Sequence, residues 1–464
     1  MVRARFLGVP LMRIALAALC LPALPSCSQE PETPRHVILV TVDTLRADAL
    51  SCYGSAYPTT DAGHAGARGS AAGFTLDEIA AQGVRHSRAY APRGMTFPSL
   101  ATLMTARSPV EHGALSNGDV LDAGLETLAE RLKAAGFATA AFTTNKLLVP
   151  RSGMEQGFDH FLSDFGPDRD EKMRDAALEW LRRQPEGQRC FVWLHLIGPH
   201  LPYEPGPAYA GLFADPAYNG PADGTRAFVD PLHRGELQAN AADHAQMKAL
   251  YAGEVARIDR TLSEFFRDLQ RDGVLDSALL VLTADHGEEL AERNRYYGHS
   301  KSVYETVLHV PLIVRSPMLL PRPGVADAVC ELEDLGRWIP RWMGIGRDSD
   351  STAARGVAVG LWQEAIYTAR DARWRLVWNE NGVEPQETPP GAYSVPRLAL
   401  YDTQADPAEL RDVAASHPDV VAALRQEIER WRAVQEPFRG TRKAPDAERM
   451  RAMKEMGYAG DEPR

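Results

Sequence analysis

The chain of 464 residues is longer than one average domain and fits a large α/β enzyme domain with a smaller appendage. Hydrophobic residues at 44% and charged residues at 24% match ordinary globular usage, which excludes a disordered, collagen-like or multi-span membrane chain. The net charge of −11 argues against nucleic acid as a partner, and an acidic protein that handles an anion needs a local positive source such as a divalent cation with His and Lys around it.

In chain order, Arg3, Arg5 and Arg13 precede an apolar run over 14–24, with no acidic residue before Glu30. This predicts an export signal over 1–26. The run ends in Leu24-Pro25-Ser26-Cys27, which resembles the lipobox of bacterial lipoproteins. Cys27 is then the expected lipidation site, anchoring an exported protein to a membrane in the periplasm or at the cell surface. Downstream, Cys52, Cys190 and Cys330 form no Cys-x-x-Cys pair, so neither a disulfide framework nor a zinc ribbon is encoded.

Past a polar tether, the short, β-branched run at 37–42 predicts a fully buried strand that stops at Asp43. Residues 63–73 read as a flexible loop. Thr75 and Glu78 have capping-box spacing, and Pro98 suits the first turn of a helix running to about residue 104. A helix over 125–135 precedes a strand over 138–143, a helix over 170–183 precedes a strand over 190–197, and a long helix over 243–272 precedes a strand over 278–283. A further strand spans 310–315. This alternation predicts an α/β catalytic domain over 35–345, its mainly parallel central sheet covered by helices on both faces. Short strands at 365–368, 374–378 and 398–401, then a helix over 418–434, predict a small C-terminal α+β subdomain over 346–440. The charged stretch 441–464 reads as a solvated tail.

Three predicted strands run into ionisable residues at their carboxyl ends: Asp43, His200 and the pair Asp285-His286. In an open parallel sheet these ends form one rim where ligands bind, so the residues should converge. Two carboxylates and an imidazole suit a divalent cation, and the donor types do not choose among Ca, Mg, Mn and Zn. Thr96 stands where a helix begins, beside the positive end of its dipole. A Thr hydroxyl is a weak nucleophile until a metal or base activates it. His299 and Lys301 add candidates for holding an oxyanion or protonating a leaving group. Singly, Asp43 and Thr96 could be helix caps and Asp285-His286 a turn; jointly, at one rim, they read as a site. Walker, zincin, nucleophile-elbow and dinucleotide signatures are absent from the sequence.

The segments HVILVTVDTLRADALSCYG, AYAPRGMTFPSLATLMTARSPVEHG, FVWLHLIGPHLPYEP, LLVLTADHGEEL and YYGHSKSVYETVLHVPLIV together resemble, in order, the sulfatase family of the alkaline phosphatase superfamily. The resemblance implies an alkaline-phosphatase-like fold. It makes Asp43, Asp285 and His286 metal ligands, Thr96 both ligand and nucleophile, and His200, His299 and Lys301 contacts to the substrate's oxygens or leaving group. Sulfatases that use formylglycine make it from the Cys of Cys-x-Pro-x-Arg; here Thr96 and Leu100 hold the Cys and Arg positions, so formylglycine is excluded. A plain Thr must be attacked at sulfur or phosphorus when its ester is cleaved, which phosphoryl chemistry tolerates better. Thr44 replaces a second acidic ligand, and Gly198 stands where relatives often have Asp. The expected function is hydrolysis of a sulfate or phosphate ester on a small anionic, glycan or lipid substrate. The alternatives are a phosphoethanolamine- or phosphoglycerol-type transferase and a catalytically silent, lipid-anchored binding protein on the same fold.

Overall fold

The computed structural model describes residues 33–293, 296–347, 350–353, 355–382, 394–440, 445 and 447–456. The export signal at 1–26 and the lipidation site Cys27 lie outside the described residues.

The central sheet contains β1 (His36–Val42), β2 (Val84–Tyr90), β3 (Ala138–Thr143), β4 (His160–Ser163), β5 (Cys190–Leu196), β6 (Ala278–Ala284), β7 (His309–Arg315), β8 (Gly324–Ala326) and β9 (Cys330–Glu331). Their order is β8-β2-β7-β6-β1-β5-β3-β4, with β9 also paired to β2. Among these strands only β7 runs against the rest, antiparallel to both β6 and β2. Strand β1 lies between β5 and β6, parallel to both, in a register that sets Val42 level with Leu196 and Ala284. That register aligns three carboxyl ends on one rim. All residues of β1, β5 and β6 are buried, as expected of a parallel sheet covered on two sides. Each Val, Ile or Leu so enclosed contributes roughly 1.5–3 kcal/mol.

Two separate groups of helices pack on this sheet. One comprises Thr96–Thr105, Leu128–Ala134 and Leu332–Trp342; the other is led by Arg169–Arg182 and the long Ala241–Arg271. Asn240 and Asp243 cap the long helix reciprocally, and Thr75 with Glu78 forms the expected box on Leu76–Ala81. The expected helix over 125–135 begins later, at Leu128, because Thr127 and Glu130 form a capping box that sequence periodicity did not weigh. The helix Thr96–Thr105 carries Pro98 in its first turn, as expected. The stretch 63–73, expected as a loop, contains a 3-10 turn Ala62–His64 and a short helix Ala65–Arg68.

The C-terminal subdomain is an antiparallel sheet of β10 (Ala358–Trp362), β11 (Ile366–Arg370), β12 (Trp374–Asn379) and β13 (Leu398–Asp402), in that order. The helix Pro418–Val434 covers it, burying Val421, Leu424 and Ile428 on one helical face. Buried Arg375 joins it to the catalytic part, forming ion pairs with Glu409 through Nε at 2.6 Å and with Glu305 through Nη2. The stretch 441–464, expected as a solvated tail, includes a helix, Ala447–Glu455, with Arg449 and Met453 buried. No described helix is long and apolar enough to cross a membrane.

Candidate active site

At the rim, Asp43 directly follows β1 and Asp285 directly follows β6, both fully buried. One ligand atom from each of Asp43, Asp285 and His195 lies within 4.8 Å of the others. Asp43 Oδ1, Asp285 Oδ2 and the Thr44 hydroxyl are buried oxygens without a hydrogen-bond partner. Buried polar atoms are almost always satisfied, so orphaned carboxylate oxygens facing one space suit a cation as their missing partner. The residues therefore fit the metal that the sequence implied.

Electrostatics agree with a shared positive partner. Burial pushes the Asp285 carboxyl up to about 6, and the neighbouring Asp43 charge adds to that rise. Burial acts on Asp43 in the same sense, but His195, His200 and His286 outweigh it and hold its carboxyl below the usual range.

Thr44 is a β-branched residue held at φ +54°, a conformation that costs on the order of 1–3 kcal/mol. Two hydrogen bonds hold it there. Its N–H donates to Asp285 Oδ1 at 3.2 Å, and its carbonyl accepts from Tyr251 Oη at 2.8 Å. The turn after β1 is thus tied to the carboxylate after β6.

Thr96 opens the helix Thr96–Thr105 and does not cap it; its Oγ1 lies 3.4 Å from His286 Nε2. The His286 Nδ1–H donates to the Gly287 carbonyl at 2.9 Å, which leaves Nε2 with its lone pair toward Thr96 and the carboxylates. His299 lies beside His286 with tilted rings whose centroids are 4.3 Å apart, and His200 follows at 5.3 Å from His299. His200 Nδ1–H donates to the Leu201 carbonyl at 2.6 Å, and burial pushes its imidazole down to about 4. Asp43, Thr96, His200, Asp285, His286 and His299 therefore converge as expected. Lys301 is exposed, two residues beyond His299 and outside the buried cluster.

The structure adds three residues that the sequence reading passed over. Asn145, two residues beyond β3, donates from Nδ2 to Asp43 Oδ2 at 2.5 Å. Its place just past a strand end was the available signal. Glu288 is buried, with burial pushing it up to about 7, and its Oε2 lies 3.3 Å from His299 Nδ1. His195 sits inside β5, where an apolar strand pattern concealed it.

His195 is better described as a support of Asp43 than as a metal ligand. Trp193 Nε1–H, a donor only, donates to Thr41 Oγ1 at 2.9 Å. The buried Thr41 hydroxyl must then place its own hydrogen on His195 Nδ1, 2.8 Å away. The ring proton is left on Nε2, which faces Asp43 Oδ2 at 3.7 Å. A protonated nitrogen steadies a carboxylate and cannot coordinate a cation.

The two departures at Leu100 and Gly198 have structural explanations. Leu100 is fully buried in a helix enclosed along its whole length. A Cβ at Gly198 would stand 2.5 Å from Arg257 Nη2, whose guanidinium already pairs with Asp170, Glu171 and Glu254.

A mainly parallel sheet carrying buried acids, imidazoles and a helix-start hydroxyl along one rim defines an alkaline-phosphatase-like hydrolase. The sulfatase family matches residues 35–345, and the chain belongs to that family. It is 21% identical to an N-acetylglucosamine-6-O-sulfatase of Bacteroides thetaiotaomicron over 86% of each chain. To an arylsulfatase of Clostridium perfringens it is 22% identical, over 73% of this chain and 80% of the relative. The fold resembles that of a protein solved with its substrate D-glucosamine-2-N,6-O-disulfate (TM-score 0.69, 18% identity, 87% of this chain and 98% of the other). It also resembles a phosphonate monoester hydrolase of Agrobacterium radiobacter (TM-score 0.64, 18% identity, 86% and 95% covered).

Proposed function

We propose that the chain hydrolyses a sulfate or phosphate ester through Thr96, with a divalent cation held by Asp43, Asp285, His286 and Thr96. The observation that carries this reading is the pair of orphaned buried oxygens, Asp43 Oδ1 and Asp285 Oδ2, beside a hydroxyl at a helix start. The bound cation would supply Lewis acidity that lowers the pKa of the Thr96 hydroxyl and offsets charge on the ester.

Thr96 Oγ1 attacks sulfur or phosphorus, and the bond to the leaving oxygen breaks in line. That oxygen takes a proton from the imidazolium form of His299 and leaves as the alcohol, and the proton given up by Thr96 restores the imidazolium. Water then attacks the sulfo- or phospho-threonine at the same atom, restores the Thr96 hydroxyl and releases the anion. Glu288 accepts from His299 Nδ1–H and so directs Nε2 toward the reacting group. Lys301 reaches the substrate's outer oxygens through its flexible stem.

Relatives named as glycan and aryl sulfatases favour a sulfate ester, and the plain Thr nucleophile favours a phosphate or phosphonate ester. We infer further that the protein is exported and lipid-anchored through Cys27, acting on an anionic small molecule, glycan or lipid ester. A parallel screen of aryl sulfate, phosphate monoester and phosphate diester substrates, with elemental analysis of the bound metal, tests the reading. Thr96→Ala is expected to abolish turnover while metal content stays near wild type. Undiminished turnover in that variant would rule the mechanism out.

A further inference from the structure

The helix Ala447–Glu455 belongs to the stretch that composition assigns to solvent, yet it sends a buried arginine toward the site. Arg449 Nη1 donates to the Leu147 carbonyl at 3.3 Å, across 302 residues of sequence. Its Nη2 donates to the carbonyls of Asn117 at 3.2 Å and Asp119 at 2.6 Å. The guanidinium also lies over the Phe97 ring, 4.9 Å from its centroid.

Three of these partners, Phe97, Asn117 and Leu147, are one step from the chemistry. Phe97 follows the nucleophile Thr96, and its N–H donates to Asn117 Oδ1 at 3.0 Å. Leu147 donates its N–H at 2.8 Å to Asn145 Oδ1, the residue whose amide holds Asp43. Planar guanidinium donors suit several carbonyls at once, and an ammonium does not reproduce that fork.

The rest of the helix reinforces the same two loops. Met453 packs on Leu147, and its Sδ lies 2.9 Å from where a Cβ of Gly118 would stand. Lys146 pairs with Glu455 at 2.5 Å. Arg226, whose charge acts on His200 and Glu288, donates to the Met456 carbonyl.

We propose that this C-terminal helix is a wall of the active site and that Arg449 is a positioning residue. It locks the loop behind the nucleophile to the loop that steadies Asp43. The kinetic part of this proposal rests on Thr96 being the nucleophile; the structural part does not.

The test uses the full chain carrying Arg449→Ala or Arg449→Lys, with Met450→Ala, an exposed neighbour on the same helix, as control. Amide hydrogen exchange is followed at 96–97, 117–121 and 145–148. Exchange there is expected to quicken at least about tenfold in R449A, to recover partly in R449K and to stay unchanged in M450A. On a responsive ester substrate, kcat of R449A should fall by about ten- to a hundredfold with KM within about twofold. Faster exchange confined to 447–456 would overturn the proposal. So would quickened exchange in the site loops with unaltered kcat, which would make the helix a structural clamp alone. If R449A does not fold, R449K carries the same comparison. A wild-type protein inactive on every ester would defeat the Thr96 reading and leave the exchange test to decide the role of Arg449.

Discussion

Asn145 and Asp43, 102 residues apart in sequence, meet through a 2.5 Å hydrogen bond from the Asn145 amide to Asp43 Oδ2. The amide cannot turn around, because its Oδ1 accepts from the Leu147 N–H at 2.8 Å. Asp43 is thereby supplied with a neutral donor, which favours its ionised form without placing a competing cation in the site.

Asn145→Leu removes a hydrogen bond to a buried charge, a loss of about 1.5–3 kcal/mol. Divalent-cation affinity is expected to fall at least about tenfold, read by calorimetric titration. Wild-type affinity in this variant would show that the amide is dispensable to Asp43.

The tautomer assigned to His195 separates two outcomes for His195→Gln. As a support of Asp43, its loss weakens cation affinity by about 10- to 100-fold and leaves the bound stoichiometry unchanged at saturation. A metal ligand would behave otherwise. Loss of bound metal in H195Q at saturating cation, measured by elemental analysis, would move His195 into the coordination sphere.

His112 supplies a pH dependence separate from the candidate metal site. The Ala114 N–H donates to its Nδ1 at 3.1 Å, its Nε2–H donates to Thr102 Oγ1 at 3.0 Å, and Thr102 in turn donates to the Pro98 carbonyl at 3.0 Å. Both ring nitrogens are committed to the neutral form, and burial pushes the imidazole down from 6.5 to about 3. Above pH 6.5 the ring is neutral in folded and unfolded chains alike, so it adds no pH dependence. As pH falls below that value the unfolded chain takes up a proton that the folded one refuses. Stability then declines by roughly 1.4 kcal/mol per pH unit until the folded value is reached. Thermal melts between pH 7 and pH 4 should show a shallower acid slope for His112→Gln than for wild type. Equal slopes would remove His112 from the acid response.

Several elements were legible because their cause is local. The helix Pro418–Val434 has the predicted bounds, since an N-terminal Pro and a one-sided apolar period act within a few residues. Strands β1, β5 and β6 were equally plain as short buried runs. Strand β2 was not foreseen: Arg85, His86, Ser87 and Arg88 give it no apolar period, and it exists because β7 pairs along it. Edge strand β4 is a similar case, only partly buried and paired to β3 alone.

The site divides along the same line. Asp43, Asp285, His286 and Thr96 were found because strand ends and a helix start are sequence-local marks, and the parallel sheet turns those marks into a rim. His195, Asn145, Glu288 and Arg449 act through hydrogen bonds to residues that only the fold brings near. Their identities carry no local signature of those roles.

What the sequence determined by itself was the α/β alternation, the order of the strands that end in acidic and imidazole residues and the chemistry available at those ends, because propensity, capping and burial patterns operate over a few residues. Tertiary structure alone decided which atoms face one another: the orphaned oxygens of Asp43 and Asp285, the proton on His195 Nε2, and the reach of Arg449 to the loops behind Thr96 and Asp43. Those depend on distances between chain segments hundreds of residues apart, which are set by sheet register and helix packing.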